Sequence, residues 1–368
     1  MTGACLARAG FNRKAAYATL AMILAAETPD VDTLWFVRGP VASFQHHRGI
    51  THTFLALPIE ALAVVGFVWI FHKWRERRRA AAHSSMPDRE GVTQPLLTAA
   101  PVRWGLLYCF AIFALLSHIL LDWTNNYGVR PFFPFNPNWY EGSFVFIFDP
   151  VIFVSLFLGL VAPALFGLVG AEIGAGRSRF RGRGWAIFSL LAVISLWACR
   201  WVQHENAVQL ATTASYGLPG SAPAQILRVT ANPFPTNLFQ WHTVVDTPGY
   251  YQIARVDTLH STVDTDPEKD LLNKPLRTPA LEAADRSWLG QVYLDWSSWP
   301  LVTDIGPVTP EGLPPGAPSW TGVSFRDLRF QYDTFLSNGS HQPPLSATVY
   351  VDSSGHVMRM QVGPSVQK

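Results

Sequence analysis

Four long apolar runs decide what this chain can fold into. They read TFLALPIEALAVVGFVWIF (53–71), WGLLYCFAIFALLSHILL (104–121), VIFVSLFLGLVAPALFGLVGA (151–171) and WAIFSLLAVISLWAC (185–199), the last reaching Val202 if Arg200 snorkels. Each is close to the ~20 residues that a helix needs to cross the hydrocarbon core. A chain that is 49% hydrophobic and 15% charged, with its apolar excess gathered before residue 203, is therefore an integral membrane protein. Its net charge of +2 is too small to suggest nucleic acid, and its basic residues sit in short stretches beside the apolar runs. HKWRERRR (72–79) follows the first run and RSRFRGR (177–183) precedes the last, and the positive-inside rule puts both in the cytoplasm. Residues 27–52, 122–150 and everything after Trp201 then fall on the extracytoplasmic side.

At the N-terminus, Arg8, Arg13 and Lys14 followed by AAYATLAMILAA (15–26) read either as a signal peptide or as a short retained helix, and retention is the preferred reading. Residues 72–102 are Arg-rich, then rich in Ser, Pro and Gly, and are expected to form a flexible cytoplasmic loop. After residue 203 the pattern alternates. FQWHTVVDTPGYYQIARVD (239–257) and LSATVYVDSSGHVMRMQVG (345–363) each read as a β-hairpin around a turn. Cys109 and Cys199 lie within apolar runs and Cys5 has no partner at a readable spacing, so no disulfide framework is implied. The expected fold is an α-helical polytopic membrane domain of four to five transmembrane helices over 1–203, followed by a β-rich soluble extracytoplasmic domain over 204–368.

The chemistry-bearing residues gather on one side of that topology, as PDVD (29–32), HHRGITH (46–52), HILLD (118–122) and FDP (148–150). His118 and Asp122 are spaced i, i+4 and share a helix face. His47 and His52 can converge if the chain turns at Gly49 and a helix begins near Thr51. In an extended segment Asp30 and Asp32 point to the same side and could complete a site of nitrogen and oxygen donors. A single interfacial histidine is usually only polar trim, but four clusters on one side favour a joint metal site. Arg48 either holds a substrate phosphate or pairs with an aspartate, and Asp149 is either a ligand or the N-cap of the helix that Pro150 opens. Glu60 reads as a protonated interhelical hydrogen-bonding group. His204-Glu205 is not followed by the second histidine of a zinc-protease motif, and serine-hydrolase, P-loop and dinucleotide-binding patterns are absent.

At PDVD, HRGITHT (47–53), HILLD and IFDP (147–150) the sequence resembles the bacterial YdjM/YbcI-type membrane-bound metal-dependent hydrolases, over about residues 1–200. The resemblance implies a helical membrane fold distantly similar to the zinc-dependent phospholipase C group, with hydrolysis as the activity. Two positions depart from the family pattern. The chain starts MTGACLARAG where members carry a Thr-His pair, so the start was assigned late or a ligand is lost, and Ser143 stands where an acidic residue is expected. Together these readings make the chain a multi-pass protein of the bacterial inner membrane. Asp30, Asp32, His47, His52, His118 and Asp122 are its candidate metal ligands, with Arg48 and Asp149 as catalytic neighbours. Zinc is the favoured divalent ion, with manganese or magnesium as alternatives. Membrane lipids, and a phosphoester or lipid headgroup as substrate, are the expected partners. The competing reading is a non-catalytic envelope protein with a structural metal or hydrogen-bonded cluster and a partner-binding C-terminal domain; a transporter ranks last.

Overall fold

A computed structural model describes residues 1–84, 100–172, 182–217, 222–266, 269–308, 319–332 and 343–367. The chain separates into two compact units. One comprises Met1–Val31, Arg48–Glu141 and Ile147–Ala198, the other Asp32–His47, Gly142–Phe146 and Cys199–Lys368. Two short segments thus group with the C-terminal unit, which a cut at residue 203 does not anticipate.

The chain begins with α1 (Thr2–Ala9), α2 (Ala18–Glu27), α3 (Pro40–His46), α4 (Leu57–Ser84), α5 (Trp104–Thr124), α6 (Pro150–Glu172) and α7 (Arg183–Thr213). Among the described residues, α4 (over Leu57–Ala81), α5 and α7 are long and apolar enough to cross a membrane, while α2 and Pro150–Phe166 are shorter apolar helices. Three crossing helices and two shorter ones therefore stand where four to five spans were expected. The core of the first unit joins Ala18, Ala21, Met22 and Ala25 of α2 to Ala61 and Val64 of α4 and to Leu107, Ala111 and Ala114 of α5. In lipid there is little hydrophobic force between helices, so small side chains that allow close backbone approach do this work. Gly3 of α1 lies so close to the Met22 carbonyl that a Cβ there would collide with it.

The flexible loop expected from residue 72 begins later, because α4 continues through the arginine run to Ser84. Arg, Lys, Glu and Ala are good helix formers, and Glu76 pairs with both Lys73 (3.0 Å) and His72 (3.1 Å) at helical spacing. The remainder of that loop, 85–99, and residues 177–181 of the second basic stretch lie outside the described residues.

The second unit carries two antiparallel five-stranded sheets. The first pairs β1 (Arg228–Pro233), β2 (Gln240–Asp246), β3 (Tyr250–Asp257) and β4 (Thr262–Asp264) in order, with β5 (Leu271–Asn273) also on β3. Between the sheets in sequence lie α8 (Pro279–Arg286) and α9 (Trp288–Trp296). The second sheet runs from β6 (Pro300–Val308) through β7 (Trp320–Asp327), β8 (Ala347–Val351) and β9 (Val357–Val362) to β10 (Ser365–Val366). Both hairpins read from the sequence are present as β2–β3 and β8–β9. Aromatic side chains fill the core, and Phe44 of α3 stacks on Tyr293 and meets Trp296 edge-on. The buried Asp327 carboxylate is gripped by Arg329 and Ser297.

Candidate metal centre

Four side chains of the first unit converge at the end of the helices away from the arginine run. α5 delivers His118 and Asp122 from consecutive turns of one face, as their spacing requires. His52 ends a short 3₁₀ turn, Ile50–His52, ahead of α4. Asp30 is the second residue of the 3₁₀ helix Pro29–Arg38 that follows α2. His52 Nε2 and His118 Nε2 stand 3.2 Å apart, and Asp30 Oδ1 lies 3.6 Å from each. Asp122 Oδ2 lies 3.2 Å from each of the same two nitrogens. Asp30, His52 and His118 form a group able to hold a metal ion, and Asp122 Oδ2 borders its two imidazole nitrogens.

The surroundings fix how these groups face one another. His118 Nδ1 is 2.8 Å from the Ala26 carbonyl, which can only accept, so that nitrogen carries the proton and Nε2 turns its lone pair to the cluster. Asp122 Oδ2 is buried without a hydrogen bond of acceptable geometry, facing two imidazole nitrogens. Such an arrangement suits a cation between them, since an anionic oxygen left alone in a buried site is costly. Burial alone would raise the Asp30 carboxyl, but in the metal-free site the imidazoles of His118 and His52, where protonated, outweigh this and hold it below the usual carboxylate range. It is the most open of the four, with 45% of its side chain exposed against 0% for His52, 12% for His118 and 13% for Asp122.

Of the two roles open to Arg48, the geometry realises the aspartate partner. Its guanidinium donates to Asp122 Oδ1 at 2.8 Å, to Asn125 Oδ1 at 3.0 Å and to the Gly128 carbonyl at 3.1 Å, and it lies over the Tyr127 ring. With one carboxylate oxygen held this way, the other is turned to the imidazoles. The turn expected at Gly49 falls one residue earlier: Arg48 takes φ 52° whereas Gly49 has φ −81°. That conformation costs a non-glycine residue about 1–2 kcal/mol, which the guanidinium bonds offset. The helix expected from Thr51 starts instead at Leu57, and Thr53 Oγ1 accepts from the Ala56 amide in the intervening turn.

PDVD is not extended. Pro29 opens a 3₁₀ helix, in which residues two apart project about 240° from one another, so Asp30 and Asp32 diverge. Asp32 and His47 form their own pair in the second unit, with Oδ1 3.3 Å from Nδ1. Asp149 is placed as a cap: its Oδ1 accepts from the amides of Val151 (2.9 Å) and Ile152 (3.2 Å) at the start of α6. Ser143 is buried and also has positive φ, 52°. Sequence reasoning missed Asn125, whose Oδ1 joins Arg48 to the Tyr127 amide just past α5; an asparagine at a helix C-terminus was the available signal.

The profile of a family described as "YdjM inner membrane protein" matches residues 1–207, which include every residue of this cluster. The chain is also similar to the uncharacterized protein YfhP of Bacillus subtilis (strain 168), with 22% identity over 136 residues, 37% of this chain and 33% of that protein. The similarity therefore spans about a third of that relative's length. No solved structure matches the chain.

Proposed function

The chain belongs to the YdjM inner membrane protein family, and from that premise we propose that this multi-pass protein is a metal-dependent hydrolase whose ion is held by Asp30, His52, His118 and Asp122. The observation that carries the reading is the set of donor separations. The three edges of the Asp30, His52 and His118 triangle measure 3.2 to 3.6 Å, and Asp122 Oδ2 lies 3.2 Å from both imidazole nitrogens. A tetrahedron with zinc-to-ligand distances of about 2.0–2.1 Å has edges of about 3.3–3.4 Å. Two carboxylates and two imidazoles also match zinc in donor type, with manganese as the next fit. When bound, such an ion supplies the Lewis acidity that polarises an ester and activates water.

The chain's own residues supply orientation. The Ala26 carbonyl sets the His118 tautomer, and Arg48 acts as a positioning residue for Asp122 rather than as a phosphate clamp. Asp30 marks the side open to water and therefore to substrate. Asp32 and His47 are left out of this ligand set because each engages the other, and Asp149 is assigned the cap. By the positive-inside argument the site faces the extracytoplasmic side, where a phosphoester or a lipid headgroup is the substrate class that location favours.

The second reading is a structural ion in a non-catalytic envelope protein. What favours it is the donor count: four protein ligands close a tetrahedral site, as structural zinc sites do. Metal analysis of purified protein, with His118→Ala and Asp122→Asn beside the wild type and a phosphodiesterase and phospholipase panel, separates the readings. The hydrolase predicts bound metal and turnover in the wild type, with both lost in the variants. Metal lost in the variants without turnover in the wild type leaves the structural reading, and unchanged metal in both variants removes the site.

A further inference from the structure

The connection between α5 and α6 presents an aromatic tip. Residues 131–140, PFFPFNPNWY, contain no charge. Phe135 is 85% exposed and Phe132 47% exposed, an unusual state for two phenylalanines in one loop. The loop is nevertheless tightly built. Val129 and Tyr140 bridge its base, Asn136 donates to the Tyr140 hydroxyl at 2.9 Å, and Arg130 folds over the Phe133 and Trp139 rings. The charge beside the loop is thus turned inward on aromatic faces, leaving an uncharged tip dominated by phenylalanine and proline.

Two connections say what covers it. Phe54, just before α4, donates its amide to the Pro131 carbonyl at 2.9 Å and meets Phe132 ring to ring at 5.4 Å. Phe54, Leu55 and Ile59 are themselves exposed, so the aromatic tip continues the apolar outer surface of a membrane-crossing helix. At its base the loop is tied to the metal centre, since Arg48 binds both Asp122 and the Gly128 carbonyl. Gly128 has φ 85° and lies close under the Tyr140 carbonyl, where a side chain would be both strained and crowded.

We propose that the loop 130–140 is an interfacial hook: Phe132 and Phe135 seat in the bilayer leaflet at this end of the helices, among the upper acyl chains. Aromatic side chains favour that depth. Because the base of the hook is bonded to the residue that orients Asp122, insertion fixes the cluster at headgroup level, and the substrate class this favours is a bilayer-resident amphiphile. That last step rests on the hydrolase reading; the insertion does not.

The test uses the full chain in lipid nanodiscs, with Cys109→Ser and Cys199→Ser to silence the exposed thiols and Phe135→Cys carrying an environment-sensitive fluorophore. The expected result is blue-shifted emission, strong loss of fluorescence to a lipid bearing a nitroxide just below its headgroup, and little loss to aqueous iodide. Quenching by iodide and not by the lipid overturns the hook. Protection from both quenchers also overturns it, because protein then covers the tip. Bound metal is measured on the same samples. Failed insertion with metal retained refutes the hook alone, and insertion without metal refutes the hydrolase reading alone.

Discussion

Arg48 shows how much of this site depends on one buried cation. It holds Asp122, Asn125 and Gly128 together through a planar fork, a geometry that the single ammonium of lysine cannot copy. Arg48→Lys is expected to keep the charge while loosening Asp122, and losing a hydrogen bond that orients a metal ligand typically weakens metal binding about 10–100-fold. Arg48→Met leaves a buried carboxylate without its partner and is expected to cost about 3–5 kcal/mol of stability in metal-free protein. Metal titration and thermal unfolding in detergent check both, and wild-type behaviour of Arg48→Lys would show that the fork is not what holds Asp122. His118 and Asp122 were legible in the sequence because an i, i+4 pair on a helix has only one geometry. Asp30 and Asp32 were not separable in the same way. Whether they share a side depends on the local backbone, and the 3₁₀ helix after Pro29 sends them apart.

At the scale of elements, the ends of helices carry the chemistry and were the hardest features to place. The apolar runs located α4 to α7, because about twenty apolar residues leave few alternatives to a spanning helix. Their ends followed other forces: α4 starts after the Thr53 turn and persists through charged residues that pattern alone assigns to a loop. Asp149 gives a test in which capping and ligation predict different outcomes. Asp149→Ala removes the acceptor for two amides and is expected to cost about 1 kcal/mol. Asp149→Asn keeps a good capping acceptor and is expected to melt close to wild type. Metal content is expected to be unchanged in both. Loss of metal in Asp149→Asn with stability retained would instead return Asp149 to the ligand set.

For the whole molecule, the two units answer to different conditions. In the second unit, burial alone would raise the Asp246 carboxyl, but the hydrogen bond from Arg228 (2.8 Å) and the Lys274 ammonium paired with it at 2.6 Å pull it below the usual range. A depressed carboxylate stabilises the fold fully above its unfolded value of about 3.9 and loses that contribution as pH falls through the lower folded value. The β-rich unit is therefore expected to weaken below about pH 4, and Asp246→Asn to flatten that dependence, as followed by circular dichroism of the full chain. Its alternating strands were readable from period-two patterning, whereas the recruitment of 32–47 into this unit was not, because contacts such as Phe44 with Tyr293 join residues nearly 250 positions apart. Orientation is the remaining whole-molecule property, and it decides which compartment the metal centre serves. The arginine run of α4 and the turn between β8 and β9 belong on opposite sides of the membrane if positive charge stays inside. In a Cys109→Ser, Cys199→Ser background, Arg79→Cys and Ser354→Cys place one exposed thiol on each. A membrane-impermeant maleimide added to intact spheroplasts is expected to label Ser354→Cys at once and Arg79→Cys only after permeabilisation. The reverse order would invert the topology and turn the cluster of Asp30, His52, His118 and Asp122 toward the cytoplasm.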